Sequence, residues 1–318
     1  MSLRRFVLKR LLYTVPLLFG VSVVTYALVW LTPGDPVTQM IALNPDASQA
    51  DAARLRRSYG LDRPVWEQYL MWISDVLRGD FGELIGSGRP VSEVIAHRLP
   101  PTIALGLFGW VFALVIAIPT GIYAAVNKDE FGDDASRFVA LSGISVPNFW
   151  LGLMLILVFA VWFDFWSVLA PREPLYHPSM LWYLVLPGVT IGTASAAIMM
   201  RIMRSSMAEE MNRDYVTTAR AKGLPERTVL LKHVLRNSLI SVATVAAFLT
   251  ASIIAGSVVV EFVFSWPGLG RELVIAITSR EIDLVMAITL VTGVAIVIAN
   301  LLADVAYALL DPRIREEY

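Results

Sequence analysis

The stretch PTIALGLFGWVFALVIAIPTGIYAAV, residues 101–126, carries no charged side chain. A helix rises about 1.5 Å per residue, so about 20 apolar residues cross the roughly 30 Å hydrocarbon core of a bilayer. Because backbone polar groups cannot remain unpaired in lipid, a run of this length and composition is predicted to form a membrane-spanning helix.

Five more apolar runs of 20 residues or longer lie on either side of this one. They cover residues 11–31, 138–161, 181–200, 238–260 and 284–310, and only the last contains a charged residue, Asp304. Hydrophobic residues make up 56% of the chain and charged residues 17%, whereas soluble domains average about 45–50% and 25%. The alternating polarity of a membrane β-barrel is absent from these runs. We therefore predict an all-α integral membrane protein with six transmembrane helices.

The same composition excludes several function classes. A net charge of −1 does not suit a nucleic-acid-binding protein. The absence of cysteine rules out disulfides, thiolate metal sites and a cysteine nucleophile, and His97, His177 and His233 are too far apart to form a local metal pair. The sequence has neither a G-x-x-x-x-G-K-[ST] nucleotide loop nor an H-E-x-x-H zinc motif. No catalytic residue, metal site or ATP site is therefore predicted in this chain.

The distribution of basic residues predicts the orientation in the membrane. Four basic residues precede the first apolar run, which favours a cytoplasmic N-terminus. With six spans both termini are inside, and segment 201–237, which holds eight basic residues, also falls on the cytoplasmic side. Segment 32–100 carries seven arginines outside, but long loops are translocated largely regardless of charge. The first run is longer than the apolar region of a signal peptide, and no small-residue cleavage site follows it, so we expect a retained helix.

These assignments divide the chain into four parts. Residues 1–31 form the cytoplasmic N-terminus and first helix, 32–100 a small helical extracytoplasmic insertion, 101–310 the transmembrane core with its cytoplasmic loop 201–237, and 311–318 a cytoplasmic tail.

Within the insertion, residues 48–58 suit a short helix capped by Ser48, and residues 65–77 carry an apolar stripe at helical spacing. The stripe either packs within the insertion or on the bilayer surface, or it docks an external partner. His97 is expected to lie in a loop.

Two features of the spans predict how the helices bend and pack. Pro147-Asn148 and Pro187 are expected to break the third and fourth spans. Gly188 and Gly192 form a small-xxx-small face, which allows another helix to approach closely.

The loop NRDYVTTARAKGLPERTVLLKHVLRNSLI, residues 212–240, predicts two short helices with a sharp break between them. The first is expected over residues 213–222. Asp214 lies at its start, and Arg220 and Lys222 lie at its end, where each charge complements the helix dipole.

The break after this helix is also marked in the sequence. Gly223 fits the left-handed position that ends a helix, Leu224 fits the apolar position that follows, and Pro225 is suited to start the next helix. A short helix of small residues with basic ends is suited to dock in a partner's groove and transmit its movement. The same features suit an amphipathic helix that rests on anionic lipid. The residues alone leave both possibilities open.

Residues 214–239, DYVTTARAKGLPERTVLLKHVLRNSL, resemble the cytoplasmic EAA loop of ABC importer permeases, most closely the dipeptide/oligopeptide and nickel subgroup. Where the family pattern begins Glu-Ala-Ala, this chain has Thr218-Ala219-Arg220-Ala221, as the peptide-type branch does. Further segments that resemble the B-type permease of this subgroup follow in matching order: LTPGDP (31–36), SYGLDRPVWEQY (58–69), GDFG (79–82), FSWPGLGREL (264–273) and LDPRIR (310–315).

The resemblance implies a type I ABC importer transmembrane fold in the cell inner membrane. It implies a second homologous permease subunit as heterodimer partner, two ABC ATPase subunits that bind ATP and Mg²⁺, and an extracytoplasmic solute-binding protein. In this family the loop inserts a coupling helix into a cleft of the ATPase. Carried over to this chain, the candidate coupling residues are Asp214, Tyr215, Ala219, Arg220, Ala221, Lys222, Gly223 and Leu224.

A second set of residues is assigned to the translocation pathway or its gate: Asn300, Asp304, Glu261 and Trp266. Asp304 lies near the inner end of its span, where it either pairs with an inner arginine or lines the pathway. Asn300, one turn earlier, is able to hydrogen-bond across helices. Glu261 precedes the turn-forming Gly and Pro residues around Trp266. By family analogy this external turn either helps to close the outer gate or meets the binding protein.

The sequence thus predicts the permease subunit of an ATP-driven importer for di- or oligopeptides. The substrate stays open, because the family also includes importers of nickel, glycosides, opines and peptide antibiotics. A self-sufficient channel or secondary carrier is the competing class, and such proteins usually show midplane charges or inverted repeats. A membrane enzyme is disfavoured by the missing nucleophile–base and metal patterns.

Overall fold

The structure is a computed structural model that describes residues 3–31, 62–85, 87–167, 169–171 and 173–310. Three sequence-based predictions lie outside the described residues: the helix at 48–58 with its cap Ser48, the tail 311–318, and the surroundings of the Asp304 side chain.

The described residues are mainly helical, with one isolated antiparallel bridge between Glu83 and Pro90. A π-helical turn, Leu157–Trp162, continues the helix Asn148–Ile156, and another, Val229–Val234, joins Glu226–Thr228 to Leu235–Val263. In chain order the helices are α1 (Leu3–Leu31), α2 (Val65–Leu77), α3 (Val91–Val126), α4 (Phe131–Ser145), α5 (Asn148–Ile156), α6 (Pro178–Tyr183), α7 (Val185–Glu210), α8 (Asp214–Ala221), α9 (Glu226–Thr228), α10 (Leu235–Val263), α11 (Leu269–Ser279) and α12 (Ile282–Leu310).

Five helical stretches of the described chain are long and apolar enough to cross a membrane. They are α1, α3, α6 with α7, α9 with α10, and α12, and they contain five of the six predicted runs. These helices extend beyond the apolar runs, because polar residues continue the same backbone hydrogen bonding where the helix leaves the lipid.

The third predicted span is not one straight helix. It consists of α4 and α5, which are bent by 103° at a short break. Val146 is extended there, with a ψ of 122°, because the ring of Pro147 disfavours a helical conformation in the residue before it. The predicted break at Pro147 is confirmed, and the count of six spans holds if the bent pair crosses as one. Pro187 lies in the first turn of α7, where proline is tolerated. The fourth span is interrupted only at Leu184, which keeps right-handed helical angles, and α6 with α7 counts as one candidate span.

The second spanning helix, α3, begins at Val91, ten residues before its apolar run. The extra turns form because Val91 and Ile95 are buried against Leu269 and Ile288 in one apolar cluster. The expectation that His97 lies in a loop was therefore wrong, since this residue is part of α3.

Helices α3 and α7 approach each other through glycines. A Cβ added to Gly192 would lie 2.5 Å from the carbonyl oxygen of Gly109, and a Cβ added to Gly188 would overlap the ring of Phe108. Only the absence of side chains permits this separation, so the predicted small-xxx-small packing face is confirmed.

The apolar stripe of the insertion forms α2, as predicted, and one edge of it packs on α1. The hydroxyl groups of Ser22 and Tyr69 are 2.8 Å apart, and the Tyr26 hydroxyl donates to Gln68 Oε1 at 3.2 Å. The rings of Tyr69 and Trp72 each lie within 5.6 Å of the Tyr26 ring, centroid to centroid. This edge contacts the first predicted span, a partner that none of the alternatives for the stripe had named.

The bundle has two ends that differ in structure. The loop end comprises residues 121–137 and 203–237, and Gly121 there lies directly against Met203. The hairpin end comprises residues 91–105, 178–186 and 260–284, which include the turn between α10 and α11.

Candidate functional site

The helix α8 forms at the loop end where the sequence predicts it, one residue shorter at each end. Gly223 has a φ of 72°, and its N–H donates to the carbonyl oxygen of Arg220 at 2.9 Å. The Leu224 N–H donates to the carbonyl oxygen of Ala219 at 3.4 Å. This is the predicted left-handed termination of the helix. Pro225 precedes the first residue of α9 instead of occupying it.

The inner face of α8 anchors it to the bundle. Val216 is 0% exposed and Ala219 is 8% exposed. Both belong to the apolar cluster that also contains Met207, Val229 and Val234, which come from α7 and the π-helical turn. Ala219, one of the predicted coupling residues, therefore holds the helix in place instead of facing outward.

The outer face of α8 is polar and open. The small side chains of Thr217 and Thr218 are exposed on it. The remaining predicted coupling residues are all exposed as well: Asp214, Tyr215, Arg220, Ala221, Lys222, Gly223 and Leu224.

Tyr215 fastens the start of α8 to the two neighbouring helices. Its hydroxyl donates to Glu210 Oε2 at 2.5 Å and accepts from Asn237 Nδ2 at 3.0 Å. Partial burial, followed by the hydrogen bond to Glu210, raises the pKa of the Tyr215 hydroxyl. The group therefore stays protonated and neutral around pH 7.

Arg220 fastens the other end of α8 to α9. Its Nη2 and Nε donate to the two carboxylate oxygens of Glu226, at 2.8 and 3.2 Å. These hydrogen bonds raise the pKa of the Arg220 guanidinium above its ordinary value. The two-point geometry sets the angle between α8 and α9 across the break.

At the hairpin end, Trp266 is fully buried and joins three segments. Its Nε1 donates to the carbonyl oxygen of Pro101 at 2.9 Å. Its ring stacks on Tyr183, with centroids 6.2 Å apart and planes within 3°. The Tyr183 hydroxyl in turn donates to the carbonyl oxygen of Phe264 at 2.5 Å. The turn before α11 is therefore held against α3 and α6.

Glu261 is also fully buried, and it caps α11. Its Oε2 accepts hydrogen bonds from the N–H groups of Gly270 and Arg271, at 2.6 and 3.1 Å. The Leu269 N–H donates to Thr102 Oγ1 at 2.8 Å. A carboxylate at this position satisfies unpaired N–H groups of the first turn and complements the helix dipole.

The glycines of this turn leave room for the carboxylate. A Cβ added to Gly268 would lie 2.5 Å from Glu261 Cδ, and one added to Gly270 would lie 2.5 Å from the Val258 Cα. Because α10 extends to Val263, Glu261 is within a candidate spanning helix. Glu261 lies one residue beyond the predicted run 238–260, near the end of a stretch that is longer than one bilayer crossing needs.

The two pairs of predicted gate residues lie apart. Glu261 and Trp266 belong to the hairpin end, whereas Asn300 lies half-buried near the far end of α12, one turn before Asp304. The structure thus brings Glu261 and Trp266 together and leaves Asn300 and Asp304 elsewhere.

Sequence reasoning missed several residues that position these sites. Val216 lies three residues before Ala219, so the apolar spacing on α8 was a usable signal. Glu226 follows Arg220 by six residues across a break, and no periodic rule pairs them. Thr102 is separated from Leu269 by 167 residues, which no local pattern connects.

Comparison with known families covers almost the whole chain. Residues 117–316 match the family model described as the binding-protein-dependent transport system inner membrane component. Residues 3–106 match the model of the N-terminal part of such a membrane component.

Individual relatives agree with these matches. The chain is 40% identical over 313 residues to the oligopeptide transport system permease protein AppB of Bacillus subtilis, with 97% of this chain and 98% of that protein covered. It is 40% identical over 310 residues to the glutathione transport system permease protein GsiC of Escherichia coli, with 98% of each covered.

A solved structure supports the fold. A chain of an amino acid ABC transporter crystallised with histidines superposes with a TM-score of 0.50 at 15% identity, over 70% of this chain and 94% of that one. The chain therefore has the type I importer transmembrane fold, and it belongs to the family of binding-protein-dependent transport system inner membrane components.

Proposed function

We propose that this chain is the permease subunit of an ATP-driven importer whose substrates are di- or oligopeptides, delivered by an extracytoplasmic solute-binding protein. Two relatives with 40% identity, named for oligopeptide and glutathione transport, support a peptide substrate. The alternative substrates of the same family are nickel, glycosides, opines and peptide antibiotics, and an ATP-independent carrier or channel is the alternative mechanism.

In this proposal the loop end faces the cytoplasm, and both termini lie on the same side. The eight basic residues of segment 201–237 support this orientation. The chain pairs with a second homologous permease, and two ABC ATPases bind ATP and Mg²⁺ beneath the loop end. The hairpin end and the insertion then face the binding protein.

The observation that carries the proposal is the two-sided character of α8. Val216 and Ala219 fix its inner face in the bundle, while its outer face is exposed and polar. Ion pairs and hydrogen bonds hold both ends of the helix to its neighbours. A helix fixed in this way moves with the bundle when a partner grips its free face. ATP-driven closure of the ATPase dimer would thus open the spans outward, and hydrolysis would reset them.

Crosslinking tests the docking of α8 directly. The sequence contains no cysteine, so a single Thr217→Cys variant carries one reactive thiol on the exposed face of α8. In the assembled complex this thiol should crosslink to an ATPase subunit. The control is Phe138→Cys, on the 72% exposed side chain of α4, which should give no such product. Crosslinking of Thr217→Cys to lipid probes alone would instead support an amphipathic helix on the membrane.

Transport in proteoliposomes tests the mechanism. The complete complex should take up a labelled tripeptide only when ATP is present with the ATPase subunits. This chain reconstituted alone should take up none. Uptake by the chain alone without ATP would establish the carrier or channel alternative. If the complex hydrolyses ATP in response to a binding protein but moves no peptide, its substrate belongs to another of the classes named above.

A further inference from the structure

We infer that the ion pair between Asp133 and Arg204 makes α4 move as one body with the end of α7, so that movement of α8 reaches the bent α4–α5 pair. This inference rests on the proposed function, in which an ATPase moves α8. Asp133 and Arg204 are positioning residues in this scheme, because they act through the helices that carry them.

The pair is buried and has a two-point geometry. Arg204 Nε lies 2.5 Å from Asp133 Oδ1, and Arg204 Nη2 lies 2.6 Å from Oδ2. The Asp133 side chain is 0% exposed and that of Arg204 is 15% exposed. Parallel hydrogen bonds between a planar guanidinium and a carboxylate restrict rotation as well as distance.

Two further donors hold the carboxylate. Arg137 Nη2 lies 3.2 Å from Asp133 Oδ2, and the Asp129 N–H donates to the same oxygen at 3.1 Å. Asp133 is therefore fixed from α7, from its own helix and from the turn before α4. Such a carboxylate cannot turn away when α7 moves, so the start of α4 follows.

The pair lies between α8 and the bend. Arg204 precedes Met207 by less than one turn of α7, and Met207 packs in the same apolar cluster as Val216 of α8. On the other side, α4 continues to the 103° bend at Pro147. Beyond the bend, Asn148 Nδ2 would lie 3.8 Å from a Cβ added to Gly256 of α10. A displacement of α8 thus has a contiguous packed route to α4, α5 and α10.

Stability alone does not require an ion pair here. Replacing a buried ion pair by apolar residues of similar volume is often neutral for stability, whereas removing one partner leaves a costly buried charge. The double replacement therefore separates the two roles. If the ion pair only stabilises the fold, the double variant should keep normal coupled transport. If the ion pair transmits movement, the double variant should lose coupled transport.

The first experiment uses the assembled transporter in proteoliposomes and measures substrate transported per ATP hydrolysed. The double replacement Asp133→Leu with Arg204→Met removes both charges, so it should assemble and lower this ratio about tenfold. Asp133→Asn, which keeps the shape of the side chain, should also lower the ratio. Arg204→Lys keeps the charge but loses the two-point geometry, so it should give an intermediate ratio. Arg98→Met is the matched control, since it breaks the ion pair of Arg98 with Glu272 at the hairpin end, with an N–O distance of 3.0 Å, and should leave the ratio unchanged.

A second experiment measures the movement itself. Spin labels are attached to Val139→Cys on α4 and Ser205→Cys on α7, both at exposed positions. In the otherwise unchanged protein, the distance between the two labels should be the same with and without nucleotide. Asp133→Asn should make that distance change or broaden on nucleotide binding.

Three results would overturn the inference: a wild-type coupling ratio in the double variant, an equal loss in Arg98→Met, or a nucleotide-dependent distance in the labelled protein without further substitution. Failure of the proposed function is distinct from these results. In that case the unmodified complex itself would show no dependence of transport on ATP.

Discussion

The loop end and the hairpin end of the bundle each contain a short helix after a tight turn, but they bury it to opposite extents. The helix α8 at the loop end shows a polar face to solvent and is fastened by exposed groups such as Arg220 and Glu226, which are 42% and 56% exposed. The start of α11 at the hairpin end is fixed by the fully buried Glu261 and Trp266. One end thus leaves a polar helix face open to solvent, and the other encloses the groups that fix its helix.

The two ends require glycine for different reasons. Gly223 has a φ of 72° and no atom within 4 Å of an added Cβ, so only its backbone conformation demands glycine. Gly268 and Gly270 have ordinary backbone angles but no room for a Cβ. Substitution therefore tests local strain at the loop end and close packing at the hairpin end.

The largest effect is expected from Glu261→Ala, which would break the hairpin end. The N–H groups of Gly270 and Arg271 would lose their acceptor in a buried site, and each unsatisfied donor lowers the free energy of unfolding by about 1–3 kcal/mol. We expect a clear drop in the melting temperature of the purified complex. Glu261→Gln, which keeps one acceptor oxygen in nearly the same shape, should lose less. Equal melting temperatures for Glu261→Ala and the unmodified protein would show that the cap does not stabilise this end.

A smaller effect is expected from Gly270→Ala. The added methyl group would lie 2.5 Å from the Val258 Cα, and overpacking of this kind costs about 1–3 kcal/mol. The control is Gly256→Ala on α10, where the nearest atom to the added carbon is 3.8 Å away. Thermal unfolding should separate the two variants, with only Gly270→Ala destabilised. Matching curves would contradict the close packing described for this turn.

The smallest effect on stability is expected from Gly223→Val at the loop end. A β-branched residue in the left-handed region costs about 1 kcal/mol or more through backbone strain alone. The expected consequence is weaker retention of the ATPase subunits during purification and less coupled transport, with the membrane bundle still folded. Gly223→Asn should behave almost normally, because asparagine tolerates this conformation. Full ATPase retention and coupled transport in Gly223→Val would count against docking through α8.

The comparison also shows which parts of the site were accessible to sequence reasoning. The termination of α8 was predicted, because it depends on Gly223 and on hydrogen bonds between residues five or fewer positions apart. The role of Glu261 was assigned only as a gate residue by analogy. Its bonds to Gly270 and Arg271 arise because the chain reverses direction after α10, and its contact with the Gly268 region depends on how tightly that turn closes.

The sequence by itself determined that this chain lies in a membrane as a helical bundle. Lipid cannot hydrogen-bond a free backbone, so long uncharged runs have few alternatives to the helix. Only the tertiary structure decided the 103° angle at Pro147, the burial of Glu261, and the pairing of Asp133 with Arg204, which are 71 residues apart. Those features depend on which distant residues exclude water from a polar group, and periodicity along one chain does not encode that information.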